Sequence, residues 1–551
     1  MELIVAQNFK GPREIPPPEI SPNRIQISED DLKKCIKQLI KEHKAMDPSY
    51  MVSEHIIYAF SDALDTWLVQ FYNGIFNDQG TPENLSRSTI HPLVKSYKKS
   101  LKSFNNYRGI SIIPVFTKLL EYIILHVCPE IADSHPLQHG YKLRSSTLHA
   151  EFLIRETLHH YKKNGSAVYV CGLDAEKAFD SCNWGILFEK LYYKKNIPLS
   201  IVNVIKSLYV KGSARVKYDN KYSYEFLLSQ GVRQGSVLSP HFYNEYTDDL
   251  LTKIENISEY GTTLHGQYTG ILMYADDIIL MSPTLSGLRK LIQRVTEISK
   301  ENCINFNADK TEFCVSKSSG TDDYFVMNGY TIRPSNNLKH LGVLWNLKNN
   351  VLTMDDENIT LRKSKFWSVI HTLIKEGIRF CHPHTIKHLY NTLAVPTLTY
   401  GIELCDLTPQ LANKLDLEGR KAIKSLFNLS IYSKNYLNTL LNIEHISTKI
   451  MRNKFNLFTR LLDGINTATP IMNMLGSENT GSFVADIRRL AGLHDIDLVQ
   501  VIVSRELPPI ESAYPEIPED TYNTLLNSVN NWTDANSRRN FIHIMEERVA
   551  R

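Results

Sequence analysis

Two adjacent carboxylates, Asp276 and Asp277, stand inside the otherwise apolar run ILMYADDIIL, residues 271–280. Burying one ionised carboxylate is costly, and burying two side by side is worse unless a cation sits on them. A third acid, Asp174, ends the apolar run SAVYVCGL (166–173), 102 positions before Asp276. If these runs are neighbouring strands, the three carboxylates share one site, repel one another and select hard divalent cations. Mg2+ takes one or two protein carboxylates and completes its shell with water and substrate phosphates. Two such ions roughly 4 Å apart activate an attacking hydroxyl and stabilise a leaving pyrophosphate. The chemistry these residues suit is nucleotidyl transfer, with two Mg2+ ions as cofactor and Mn2+ as the alternative. A solvated turn is the competing reading for Asp276 and Asp277 alone, since aspartate favours turns. The apolar residues on both sides oppose it.

The elements that must position these acids are legible in the pattern. ILMY and IILM read as two short strands joined by a tight turn, a hairpin with the acids at its tip. SAVYVCGL reads as a buried strand carrying Asp174 at its C-terminal end. NWGILFEKLYYKKN (183–196) reads as a helix. A second helix covers about 284–301, with Leu285, Leu288, Leu291, Ile292, Val295 and Ile298 on one face. TEFCVS (311–316) returns as a strand. Strands alternating with helices predict an α+β sheet domain over roughly 165–345, and the chain after 355 reads as mostly helical. Upstream, SEDDLKKCIKQLIKEH from Ser28 has a serine cap, acids in its first turn and a helical apolar period. Another amphipathic stretch covers about 53–76, and the proline-rich residues 1–27 read as an irregular lead-in. NTATPIMNMLGSENTGSF (466–483) reads as a linker into a small helical tail.

Composition narrows the class. At 551 residues, 42% hydrophobic and 22% charged, the chain predicts two to four globular domains. A net charge of +3 means that any nucleic-acid surface is local. One candidate is the acid-free stretch 92–108, with Lys95, Lys98, Lys99, Lys102 and Arg108. The eight cysteines are scattered without a C-x-x-C pair, which predicts reduced thiols in an intracellular protein of nucleus or cytoplasm and no zinc knuckle. The start lacks a secretory pattern, and the apolar stretch 110–128 is broken by Pro114, Lys118 and Glu121, so no membrane span is expected.

The acids keep specific company. SFNNYRGISIIPVFTKLLEYII (103–124), QHGYKLRSSTLHA (138–150), GLDAEKAFDSCNW (172–184), GVRQGSVLSP (231–240), YADD (274–277), FNADKTEFCVS (306–316) and LKHLGVLW (338–345) occur in this order. Together, from about residue 28 to near 460, they resemble the reverse transcriptase of non-LTR (LINE-type) retrotransposons. The resemblance implies a right-hand polymerase fold of fingers, palm and thumb with a mostly helical C-terminal region. Its divisions fall at 28–164 (N-terminal extension and fingers), 165–345 (palm with part of the fingers), 346–464 (helical thumb and connection) and 465–551 (small helical C-terminal region). It further implies an RNA-directed DNA polymerase acting on an RNA template, a DNA or RNA primer and dNTPs.

Residue by residue, Asp174, Asp276 and Asp277 match the family's catalytic acids. The first two hold most of the metal, joined by the backbone carbonyl of Ala175. Phe179 matches the ring that lies under the incoming sugar and clashes with a 2′-OH, its plainer reading being a core aromatic. The backbone around Lys177 and Ala178 faces the triphosphate. Gln234 and Gly235 match the block beside the nascent base pair. Lys95 and Arg108 match finger positions that neutralise the triphosphate, a guanidinium suiting bidentate phosphate contact. Lys310 matches a lysine that protonates departing pyrophosphate, its plainer reading being a surface lysine. LKHLGVLW resembles the hairpin that grips the primer end, with Gly342 at its bend. With only about 27 residues before the first matched helix, no endonuclease domain is expected. The competing readings are a catalytically silent RNA-binding scaffold with the same fold and an intron-encoded maturase; protein partners stay open.

Overall fold

The computed structural model describes residues 25–39, 44–59, 61–316, 323–327, 329–347, 355–477, 482–512, 514, 516–532, 539, 541–543 and 545–546. Most of the predicted lead-in, residues 1–24, lies outside these.

The strand that ends in Asp174 and the hairpin that carries Asp276 belong to one sheet. Its spatial order is Glu312–Val315, Tyr169–Asp174, Asp277–Ser282, Ile271–Tyr274, with every neighbour antiparallel. In chain order the unit runs strand, helix Ser239–Glu255, hairpin, helix Leu285–Glu301, strand, which is the split βαβ arrangement. Ile278, Ile279, Leu280 and Met281 are all buried. Successive strand side chains point to opposite faces, so both faces of the sheet are covered, and this is why the run reads as continuously apolar. The helix Leu285–Glu301 buries Leu288, Leu291, Ile292, Val295 and Ile298 on its inner side, the face its period predicts.

A second sheet has five strands. Tyr107–Ile112 pairs antiparallel with Arg87–Val94, which pairs in parallel with Ser213–Tyr218, followed by the short strands Lys221–Tyr222 and Phe226–Leu227. The strands of 213–227 thus belong to this sheet and not to the one that carries Asp174. Buried charges fasten GVRQGSVLSP beneath this sheet. Arg233 donates to the carbonyls of Ser86 (2.9 Å) and Leu208 (2.7 Å), and Glu121 accepts from Ser236 Oγ (2.6 Å) and the Val237 N–H (2.7 Å).

Past the hairpin Asn337–His340/Val343–Asn346 the chain is helical, with long helices Asp356–Lys375, Pro409–Leu426 and Ile446–Leu462. The expected linker at 466–483 is otherwise: Ala468–Gly476 is a helix, with Pro470, Ile471 and Met474 buried. Proline is tolerated in a first helical turn, and the apolar stripe has the helix Ile446–Leu462 to pack against. The stretch 53–76 forms two helices, Ser53–Tyr58 and Asp62–Asp78, and Trp184–Glu189 continues in wider turns to Lys194.

The C-terminal helices are tied into the same body. Arg155, in the helix Thr147–Lys163, is 1% exposed. It reaches Glu156 Oε1 and Asp355 Oδ2 at 2.8 Å each, Asp406 Oδ1 at 3.4 Å, and the hydroxyl of Ser482 at the start of the helix Ser482–Leu493. Lys454 Nζ meets Asp486 Oδ2 of that helix at 2.7 Å. No helix among the described residues is long and apolar enough to cross a membrane.

Candidate active site

The antiparallel register sets Asp277 directly opposite Asp174, and Asp277 also pairs with Tyr274 across its own hairpin. Ala275 and Asp276 form the two-residue turn between the strands, with Ala275 in the left-handed region at φ 56°. Burial pushes the Asp276 carboxyl above the usual carboxylate range, the Asp174 charge adds to this, and Arg108 and Lys310 oppose it. Burial likewise raises Asp277, reinforced by Asp276 and Asp174 and opposed by His340 and Lys310. Lys310 Nζ stands 2.7 Å from Asp174 Oδ2, an ion pair open to solvent.

These are the marks of a carboxylate group short of positive charge. An all-oxygen donor set of this kind fits a hard divalent cation rather than a thiolate- or imidazole-seeking metal. Among the described residues no three His, Cys, Asp or Glu side chains are arrayed to ligate one ion. The cation in contact with Asp174 is the Lys310 ammonium.

Beyond Asp174 the strand keeps its pairing for one residue. Ala175 bridges Phe306, and the flanking bonds run from the Asn307 N–H to the Asp174 carbonyl (3.0 Å) and from the Glu176 N–H to the Asn305 carbonyl (2.8 Å). Neither bond uses the Ala175 carbonyl. The chain then turns at Lys177, exposed and at φ 47°, whose carbonyl accepts from the N–H groups of Asp180 and Ser181 at 2.8 and 3.0 Å. Ala178 is buried beside it. The Phe179 ring stacks on Tyr243 (5.0 Å between centroids, 14° between planes) and meets Tyr141 edge-on at 6.3 Å. Burial and the Asp276 charge push both tyrosine hydroxyls up, so this aromatic cluster borders the acids.

Gln234 and Gly235 are stapled to the second sheet through Ser111. The Gln234 carbonyl accepts from the Ser111 N–H at 2.7 Å, and its Nε2 donates to Asp180 Oδ1 at 3.2 Å. Gly235 has φ 120°, and a Cβ there would stand 2.6 Å from the Ser111 carbonyl oxygen, so only glycine fits. Arg108, on the strand Tyr107–Ile112, acts electrostatically on Asp276 and Tyr141. Lys95 stays within its own loop, its ammonium donating to the Asn105 carbonyl at 3.2 Å.

Sequence reasoning missed Gln138, Tyr141 and Tyr243. Gln138, 1% exposed, accepts from the Ala275 N–H at 2.9 Å and so holds the acidic turn from beneath. The signal was there in QHGY, a polar pair before a glycine in a block that lines up with the acids, but no local rule ties that amide to residue 275.

Residues 97–344 match the family described as reverse transcriptase (RNA-dependent DNA polymerase). Outside that span too the chain is similar to proteins of retrotransposable and mobile elements. The Retrovirus-related Pol polyprotein from type-2 retrotransposable element R2DM of Drosophila melanogaster is 26% identical over 226 residues, covering 41% of this chain and 21% of that protein. The RNA-directed DNA polymerase from mobile element jockey of Drosophila funebris is 23% identical over 457 residues, 78% of this chain and 47% of that one. Among solved structures, telomerase from Candida albicans in complex with a fragment of telomeric RNA aligns with a TM-score of 0.39 at 10% identity, covering 81% of this chain and 68% of that chain. The chain spans 21% to 49% of the length of the first curated relatives it matches.

Proposed function

We propose that this chain is an RNA-directed DNA polymerase that adds deoxynucleotides to a primer 3′-OH on an RNA template. The observation that carries the reading is the register of Asp174 against Asp277, with Asp276 beside them and Lys310 on Asp174. Asp174, Asp276 and Asp277, with the free edge of Ala175, are the residues to hold two Mg2+ ions, or Mn2+ in their place. Such ions supply activation of the attacking hydroxyl and neutralisation of the departing pyrophosphate. The protein's own groups do the rest. Arg108 and the turn at Lys177 and Ala178 receive the triphosphate, with Lys95 at the fingertip as a further cation. Phe179, braced by Tyr243, presents a flat ring where a ribose 2′-OH would collide. Gln234 and Gly235 bring backbone close to the nascent pair, and Lys310 holds a proton within reach of the leaving group. On this reading the palm spans about 165–345 with part of the fingers, and the thumb follows to about 464. Eight unpaired cysteines suit a reducing compartment, nucleus or cytoplasm.

The test is primer extension on an RNA template with dNTPs and Mg2+, beside Asp276→Asn. Extension in the parent that falls about 10³-fold or more in the variant supports a polymerase. A folded parent that binds RNA and never extends a primer returns the reading to a silent binding scaffold.

A further inference from the structure

Past Tyr141 the segment KLRSST turns over the start of the long helix Thr147–Lys163 and forms one wall of a cavity of about 200 Å³. The facing wall is the turn at 463–467. Asn466 Nδ2 fastens that turn by donating to the Pro136 carbonyl, and His149 Nε2 lies 3.4 Å from the Arg460 carbonyl.

His139 lines this cavity, is 4% exposed, and its Nε2 has no hydrogen-bond partner. Ser145 Oγ lies 3.2 Å from its Nδ1. Burial, with the His149 and Lys142 charges adding to it, holds the ring's pKa down to about 3, so the imidazole is neutral. With Ser145 Oγ donating to Nδ1, the ring proton would sit on Nε2, which is buried and has no partner. Buried polar groups are nearly always satisfied, and an orphan asks for an acceptor.

Positive charge gathers around the same space. Arg144 is exposed, held at φ 60°, and its guanidinium has no partner among the described residues. Lys142, whose pKa burial lowers, anchors to the Ser134 and His135 carbonyls at 3.1 and 3.2 Å. The first turn of the Thr147–Lys163 helix adds the positive end of its dipole; its N-cap Ser146 makes no capping bond, its Oγ meeting His149 Nδ1 at 2.9 Å, and the His149 N–H bonds the Ser146 carbonyl at 3.0 Å. Asp463, the acid in the lining, is engaged by Arg505 Nε at 2.9 Å. Leu143 and Ile465 stand exposed at the rim, 90% and 67%, offering apolar surface to a sugar.

We propose that this cavity binds a phosphodiester of the nucleic acid on which the polymerase works, with Arg144, Lys142, the His139 Nε2–H and the helix start as its donors. The assignment rests on the polymerase reading above for the identity of its ligand, and it adds a contact outside the acidic site, where palm and C-terminal region meet.

The experiment measures binding of an RNA template annealed to a DNA primer by fluorescence anisotropy over a series of KCl concentrations. It uses the full chain, Arg144→Ala and, as a buried-donor variant, His139→Phe, each checked by thermal melting. Arg144→Ala is expected to weaken binding several-fold to tenfold and to lower the slope of log K against log salt by about 1. A folded His139→Phe protein is expected to lose several-fold at every salt concentration with the slope nearly unchanged, since it removes a neutral donor. Affinity and slope unchanged in Arg144→Ala overturn the proposal, whatever His139→Phe does. A parallel melt at constant ionic strength, with inorganic phosphate replacing chloride, tests the free anion. If phosphate stabilises the parent and not Arg144→Ala while duplex binding is equal in both, the site serves free phosphate and the nucleic-acid assignment falls. Primer extension on the same samples separates the two readings. Binding that depends on Arg144 without any extension removes the polymerase and keeps the site, whereas extension with an Arg144-independent slope removes the site alone.

Discussion

Gln138 holds both hydrogen-bonding edges of Ala275. Its Oε1 accepts the Ala275 N–H at 2.9 Å and the Gly140 N–H at 2.8 Å, while its Nε2 donates to the Ala275 carbonyl at 3.3 Å. Ala275 needs that support, because a non-glycine residue at φ 56° persists only where its surroundings over-determine it. Gly140 completes the clamp by close approach, since a Cβ there would stand 2.4 Å from the Ala275 nitrogen. The mutual placement of Asp276 and Asp277 therefore depends on an amide 137 positions earlier in the chain.

Replacing that amide tests its reach. Gln138→Leu keeps similar bulk but leaves the buried Ala275 N–H and C=O unpaired, a cost of about 1–3 kcal/mol. A slack turn also misplaces the acids, so kcat for primer extension is expected to fall about 100-fold with KM for dNTP little changed. Thermal melts beside steady-state extension read both effects. Lost stability with an unaltered kcat would limit Gln138 to a structural role.

Phe179 is held between Tyr243 and Tyr141, so its ring has little freedom to yield to a larger sugar. Phe179→Val opens that space. Discrimination between dNTP and rNTP, taken as the ratio of their kcat/KM values, is expected to drop roughly 10- to 100-fold, chiefly through better use of rNTP. An unchanged ratio would leave Phe179 as core packing.

Glu403 gives a pH dependence with a definite sign. It is buried, its Oε2 has no partner, and burial raises its pKa to about 7. The folded state holds this proton more tightly than the unfolded chain does. Its contribution is complete below the ordinary glutamate range and is lost as pH rises through about 7. Glu403→Gln should therefore match the parent near pH 4 and exceed it at pH 8 by about 3 kcal/mol. Urea unfolding at the two pH values decides it, and equal stability at both would refute the assignment.

Arg155 carries the largest stability prediction. Arg155→Met leaves Glu156, Asp355 and Asp406 without their shared cation in a buried setting, which should cost about 3–5 kcal/mol. Asp355 immediately precedes the helix Asp356–Lys375 and Ser482 opens a C-terminal helix, so loosening should extend to both. Hydrogen exchange should show faster opening of these two helices; exchange unaltered in either would exclude Arg155 as their common tie.

Much of the framework was legible because it follows from near-neighbour chemistry. ILMY and IILM are strands around a turn, and the apolar face of residues 285–301 is the buried one. The misreading at 466–483 has a local cause. Pro470 and the polar residues after Gly476 look like a break, yet the proline falls in the first turn of a helix whose stripe finds a partner. The second sheet shows the opposite limit: nothing in residues 213–216 announces parallel pairing with residues 87–90 rather than with the central sheet.

By itself the sequence determined which residue types are available and how each short segment folds, including three acids at the ends of buried apolar strands. Periodicity, turn residues and charge are properties of neighbours in the chain, so they can be read there. Only the tertiary structure decided that Asp277 faces Asp174, that Lys310 reaches this pair while Lys95 stays in its loop, and that Gln138 carries the turn. Those relations join residues far apart in sequence. Their geometry is set by sheet register and by the burial of polar groups that must find partners, and both exist only once the whole body has packed.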